Sequence, residues 1–336
     1  MCFLEDNNMT IKYNNVYIEG VSTIAGPFVN NGPLNDKFDK VFNDFYDGED
    51  TFEKCEIKNL EEAIRILLNK TNKKEKDINL ALGADLMNQL TISNFVYSKF
   101  NIPYLGVYNA CASVCEEILI ASSMIDGKKI NNAICTTSAH NLTSERQYRN
   151  PVEYGAPKPK RSTFTCTGST ALMLTNKKND IKVNSATIGK VVDMGVTDVF
   201  DMGSVMAPSA AYTLNKHLEN TNTTTNDYDL ILTGDLGKYG KEIFKEYCIK
   251  EYNINLGNNY DDSATMIYDY NDNVYAGGSG PSCLPLVVYS DIIPKMKEKK
   301  IKKVLLIATG ALMSPTTCNQ KMSIPSISHA VCLEVI

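Results

Sequence analysis

At 336 residues, with 43% hydrophobic and 22% charged positions, the chain has room for two ordinary domains or one large duplicated α/β fold. It is too apolar to be disordered. A formal net charge of −5 excludes a general binder of nucleic acid or anionic lipid.

Ten cysteines fall inside apolar strand and helix patterns, with no Cys-x-x-Cys pair, and read as free thiols in a reducing compartment. The first residues lack a basic-then-apolar signal pattern, and no run approaches the ~20 apolar residues of a membrane span. The expectation is a soluble, cytoplasmic-type protein that reaches a membrane only through partners.

In chain order, residues 11–26 read as strand, ending at Gly26-Pro27. An acidic, aromatic stretch from Asp36 to Phe52 reads as a surface excursion, and Leu60 to Leu68 as an amphipathic helix. Lys70 to Lys76 is a basic, solvated loop, and Ile78 to Leu82 a strand running into Gly83-Ala84-Asp85-Leu86. Tyr104 to Tyr108 alternates bulky and small residues and reads as a buried strand. From Ala112 on, Val114, Cys115, Ile118, Leu119, Ser122 and Ile125 recur at helical spacing, with Asp126-Gly127-Lys128-Lys129 as the exit.

Cys111 therefore sits where a strand turns into a helix, its sulfur facing the unpaired N–H groups and positive dipole end. Such a place favours thiolate over thiol. It suits a nucleophile, a pocket floor, or simply a small buried thiol at a tight turn.

Ala133 to Thr137 is the next strand, spilling into Ser138-Ala139-His140-Asn141. Glu145 to Arg161 is a long polar loop with prolines, a length that usually signals function. Thr163 to Leu174 returns to strand, bending at Gly168. The second half repeats the plan. Asp229 to Leu236 echoes Leu80 to Leu86, and Lys299-Lys300-Ile301 before Val304 to Gly310 echoes Lys128-Lys129-Ile130 before Ile134 to Ser138. A helix after each strand, Cys111 to Ile125 and Ser282 to Met296, completes a duplicated βαβ plan joined near Asn176 to Asp180, giving halves 1–177 and 178–336.

A strand followed by Asn109-Ala110-Cys111 at a helix start, in a duplicated α/β chain, resembles the thiolase superfamily. Within it, the chain is similar to a thiolase-like sporulation family of spore-forming bacteria. The run Ser138-Ala139-His140-Asn141-Leu142-Thr143-Ser144-Glu145-Arg146-Gln147, the Tyr154-Gly155 pair, Thr233-Gly234-Asp235-Leu236-Gly237 and Ser328-His329-Ala330-Val331 carry that resemblance. It implies an internally duplicated, five-layered αβαβα fold and a homodimer. It also implies a role with dipicolinic acid, which spores store as a calcium chelate, as one subunit of a channel complex at the inner spore membrane.

Condensing members of the superfamily need a base and oxyanion donors beside the thiol. Here Asp235 stands where such enzymes place a histidine, and Ala276-Gly277-Gly278-Ser279-Gly280 offers no asparagine. A carboxylate beside a thiol opposes its ionisation, and as an acceptor-only ion it cannot hold an oxyanion. The expectation is a degenerate, non-catalytic thiolase fold. An acyltransferase using Cys111 as acyl acceptor is the alternative.

Five residues are expected at the ligand: Cys111, His140, Asp235, His329 and Arg146, the last as a carboxylate fork. Arg149 and Arg161 read as loop cations, and His217 as a helix-surface residue. None of the three histidines has metal-ligand spacing with another, so no metal or cofactor is expected. The glycine cluster reads as a tight turn, since it lacks nucleotide-loop spacing.

Overall fold

The fold was read from a computed structural model, which describes residues 9–148, 158–269 and 274–336. Its spine is a run of strands: β1 (Tyr17–Ala25), β2 (Ala81–Ala84), β3 (Tyr104–Gly106), β4 (Asn132–Ala139) and β5 (Gly168–Thr175) in the first half. The second half supplies β6 (Ile181–Thr187), β7 (Leu230–Thr233), β8 (Tyr260–Asp262), β9 (Lys303–Ala311) and β10 (Ser326–Val335). Their spatial order is β3-β2-β4-β5-β1, continuing into β6-β10-β9-β7-β8.

The two halves share one topology. β2 runs parallel to β3 and β4, while β5 is antiparallel to β4 and β1. Likewise β7 runs parallel to β8 and β9, while β10 is antiparallel to β9 and β6. Each first-half strand thus corresponds to the strand five places later. The halves meet where Tyr17 of β1 pairs with Lys182 of β6. Both sequence echoes fall on equivalent places, at the ends of β2 and β7 and at the entrances of β4 and β9.

The helices that frame these strands are α1 (Phe52–Lys70), α2 (Thr91–Tyr97), α3 (Ser113–Asp126), α4 (Asn141–Tyr148), α5 (Met202–Thr221) and α6 (Gly237–Tyr252). A helical segment over 283–297 follows, with one π-turn at Val288–Ile292. Burial sorts them into layers. Val114, Cys115 and Ile118 of α3 share one core with Cys283, Leu286 and Ile292, sandwiched between the two sheet halves. Leu60, Ile64 and Leu67 of α1 pack with Ile92 and Val96 of α2 on one outer face. Met206, Ala210 and Leu214 of α5 pack with Phe244 of α6 on the other. The result is helix, sheet, helix, sheet, helix. All eight residues of β4 are buried, which explains why it reads as a continuous run of small and apolar residues without alternation.

Four expectations need correction. β3 is an edge strand, with Leu105 47% exposed, because its second flank has no partner strand among the described residues. α1 begins at Phe52, where the Thr51 hydroxyl accepts from the Lys54 N–H (3.2 Å). Its first turns carry Glu53, Lys54, Glu56 and Lys58 among the apolar positions, which hides the helical period. The preceding stretch is less of an excursion than it reads, since Phe42 is buried and Phe45 packs on His140. His217 is not on the surface: it lies on the buried face of α5, and the ring bridges Thr187 Oγ1 (2.7 Å) and Tyr228 Oη (3.1 Å). Among the described residues no helix is long and apolar enough to cross a membrane.

Candidate ligand-binding site

The site begins with a strained elbow. After β3, the Val107 N–H donates to the Gly83 carbonyl (3.1 Å), and the chain then turns sharply at Ala110, whose φ is +48°. That left-handed conformation is costly for alanine and is held by its surroundings. Ser113 Oγ accepts from the Asn109 N–H (2.8 Å) and donates to the Ala110 carbonyl (2.9 Å), tying the turn to the first residue of α3. β9 presses on the elbow from the other half at Gly310, where any Cβ would collide with the Asn109 carbonyl oxygen. Cys111 emerges half-buried at the top of this turn.

Across from it stands Asp235, just past the end of β7 and only 1% exposed. One carboxylate oxygen accepts from Thr309 Oγ1 of β9 (2.6 Å) and the other from the Gly280 N–H (3.0 Å). The Cys111 thiol is a third hydrogen-bond partner of the same carboxylate. Gly280 can offer its N–H because it adopts φ +96°, a conformation that disfavours any side chain. Burial pushes the Asp235 pKa up to about 6, while Thr309, Cys111 and Gly280 pull against that rise. A carboxylate of that basicity is a poor acceptor of a proton from a thiol of ordinary acidity (~8.5).

A cavity of about 60 Å³ opens over this pair. Tyr108, Tyr148, Met202, Met206 and Met313 are among the residues that wall it. No arginine, lysine or histidine lines it among the described residues.

Of the five expected site residues, Cys111 and Asp235 come together at this cavity, and three stand elsewhere. His140 is buried behind it, its Nε2 facing the Phe45 carbonyl (2.9 Å), its Nδ1 accepting from the Leu142 N–H (3.2 Å) and its ring stacked on Phe52. Burial lowers its pKa to about 4, so it is a neutral packing residue. His329 lies inside β10. Its Nδ1 accepts from the Gly189 N–H (3.2 Å) and its Nε2 meets the Asn109 amide (3.3 Å), bracing the elbow from behind. Its pKa is also about 4, again through burial. Arg146 points outward from α4 and pairs with Glu53 of α1, because the polar stretch expected as loop is helical through Tyr148. Arg149 and the Tyr154-Gly155 pair lie outside the described residues. Arg161 pairs with Asp198.

The tyrosines, methionines and Thr309 went unmarked in the sequence. Only Gly280 had a signal, in the glycine cluster, which holds a short strand where a tight turn was expected: Gly278–Ser279 pairs with Phe164–Thr165, and the chain bends at Gly280 before the helix at Cys283.

The family model for stage V sporulation protein AD matches residues 7–334. The chain belongs to that family. It is 42% identical over 319 residues to the stage V sporulation protein AD of Bacillus subtilis (strain 168), covering 95% of this chain and 94% of that one. Solved structures of much lower identity share the thiolase-like fold. An OleA variant from Xanthomonas campestris superposes with a TM-score of 0.59 at 14% identity, over 96% of this chain and 99% of that one. The 3-oxoacyl-[acyl-carrier-protein] synthase III of Aquifex aeolicus gives 0.58 at 14% identity, over 95% and 99%. OleA has also been solved with bound lauric acid and lauroyl-CoA, and that structure gives 0.59 at 13% identity, over 95% and 99%.

Proposed function

We propose that this member of the sporulation family is a non-condensing binding protein. Its Cys111–Asp235 cavity takes dipicolinic acid, as the calcium chelate, during uptake into and release from the spore. The observation that carries this reading is the charge of the cavity. Among its described lining residues there is one buried carboxylate and no cation or imidazole. A bare dicarboxylate would meet only repulsion there, whereas its one-to-one calcium chelate is neutral overall. No cluster of three metal-ligating side chains exists among the described residues. The calcium would therefore arrive already held by the pyridine nitrogen and carboxylates.

The same observation argues against condensation. A thiol whose hydrogen-bond partner is a carboxylate, with no imidazole at the cavity, lacks the base and oxyanion donors that acyl transfer requires. In this reading the protein is a homodimer, with the free edge of β3 and the exposed Leu105 as its joining surface. It serves as the peripheral component of a dipicolinate channel at the inner spore membrane.

Calorimetric titration with dipicolinate, with and without calcium, tests the central claim. Saturable heat with the chelate, weakened in Cys111→Ala, is expected. No heat under either condition would sink it.

A further inference from the structure

The cavity over Cys111 is partly enclosed. Beyond it lies an outer vestibule of about 430 Å³, with Asn88, Gln89 and Ser314 in its wall. The two spaces share three residues, Tyr108, Tyr148 and Met313. Between them the phenol oxygens of Tyr108 and Tyr148 are 2.7 Å apart. The direction of this bond is fixed by its neighbour. Tyr148 Oη also bonds to the Leu86 carbonyl, which can only accept, so the Tyr148 hydrogen is committed there and Tyr108 donates to Tyr148.

The support for this pair is firm on one side. Gln147 Nε2 donates to the same Leu86 carbonyl (2.7 Å), and Gln147 Oε1 accepts from the Asn88 N–H (3.1 Å), so α4 is clamped to the strap after β2. Tyr108 sits on the short loop between β3 and the elbow and is 42% exposed. It is the less tightly held side of the pair, with Tyr148 as its hydroxyl's partner. The next two links of the strap, Gln89 and Leu90, are both left-handed, with φ of +59° and +55°, and such strain persists where the surroundings impose it.

We propose that Tyr108 and Tyr148 form a gate between the vestibule and the Cys111–Asp235 cavity, and that the vestibule is the first binding site for a planar aromatic acid on its way in. The ligand class rests on the function proposed above; the gate does not. The phenol pair stands on the boundary of the two spaces, so a ring passing from the vestibule to Cys111 must move past it. Aromatic walls and amide groups suit a flat, polar-edged ring in the outer space.

The test is the reactivity of Cys111 in the full chain without ligand, located by peptide mass mapping. An aromatic disulfide reagent is compared with methyl methanethiosulfonate. In the unaltered chain the gate makes the small reagent outpace the aromatic one by more than their ratio on free cysteine; equal ratios would overturn it. Tyr108→Phe removes one hydrogen bond and leaves Tyr148 pinned to Leu86, so the aromatic reagent should react about fivefold faster. Tyr148→Phe removes the same bond and also frees its own ring from Leu86, so it should give at least as large an increase. The double variant should match Tyr148→Phe, because no bond remains for the second change to break. Rates within twofold of the unaltered chain, or a larger effect from Tyr108→Phe than from Tyr148→Phe, would overturn the gate. Protection of Cys111 by added calcium dipicolinate reports separately on the ligand. Its absence with the rate pattern intact would refute the ligand class and leave the gate standing.

Discussion

Asp235→Asn is the most informative single change, because it keeps the shape of the side chain and removes its charge. The native carboxylate receives the Thr309 hydroxyl, the Gly280 N–H and the Cys111 thiol. An amide has a single oxygen, so at least one of these donors must face an NH₂ group. One misdirected donor in a fully buried site costs about 1–3 kcal/mol, readable as a lower urea midpoint. The effect on the sulfur runs the other way. Two unit charges at ~4 Å and an effective dielectric near ~20 repel by about 4 kcal/mol, which is roughly three pH units at most. Removing the carboxylate should therefore move the pH midpoint of Cys111 alkylation down by about one to three units, again with the label located by mass. An unmoved midpoint would refute the thiol–carboxylate pairing. Unchanged stability would refute the count of donors.

Two further outcomes follow from buried acids outside the cavity. Glu117 on α3 is fully buried, and neither carboxyl oxygen has a well-formed hydrogen bond, although the Thr136 backbone eases it slightly. Burial raises its pKa well above the usual range, so it is protonated, and Glu117→Leu should raise stability by about 1–3 kcal/mol in urea unfolding. A loss of stability there would mean that the carboxyl has a partner. Glu56 on α1 accepts from Ser138 and Thr143, and burial with Asp85 nearby raises its pKa to about 8. A carboxyl whose pKa is raised on folding binds its proton more tightly in the folded chain. Its contribution is complete below ~4.3 and is lost as pH rises toward about 8. Glu56→Gln should flatten the fall in stability between those limits, a difference of roughly 3–5 kcal/mol; parallel profiles would contradict it.

Local pattern reached as far as the elements and the elbow. The duplicated plan, the strand-to-helix turn at Cys111 and the aspartate at the end of β7 all follow from short-range spacing. What pattern could not give is which way a polar side chain turns once two sheets close on it. His140 and His329 stand near strand ends or on strands as expected, yet each ring faces backbone groups behind the site. Arg146 was misplaced because α4 has too few apolar residues to announce a helix, so its outward face read as loop. The methionine walls come from α5 and the loop after β9, far apart in sequence and joined only by the layer packing. Such walls leave no motif.

The duplicated halves explain why the cavity forms over one elbow with an aspartate from the other half. Asp85 and Asp235 occupy equivalent places after β2 and β7, but they do different work. Asp85 spends its oxygens locally, accepting from the Met87 N–H (2.9 Å) and from the N–H and hydroxyl of Ser93 (2.8 and 2.7 Å) at the start of α2. In the second half that task falls to Asp262, which ends β8 and accepts from the N–H groups of Leu236 and Gly237 (both 3.0 Å) at the start of α6. The register shows why the first half has no such substitute. Gly83 of β2 pairs with Gly106 of β3, whereas Thr233 of β7 pairs with Asp262 of β8, so the first half carries a glycine where the second carries the capping carboxylate. With the start of α6 already satisfied, Asp235 is free to reach across the layers to Cys111. A side chain at Gly106 would have to displace the Leu90 and Tyr104 side-chain ends that pack there. The division of labour between the two halves therefore follows from the residue paired at the end of β3 and β8, glycine in one and aspartate in the other, and it leaves only one of the two aspartates available to the cavity.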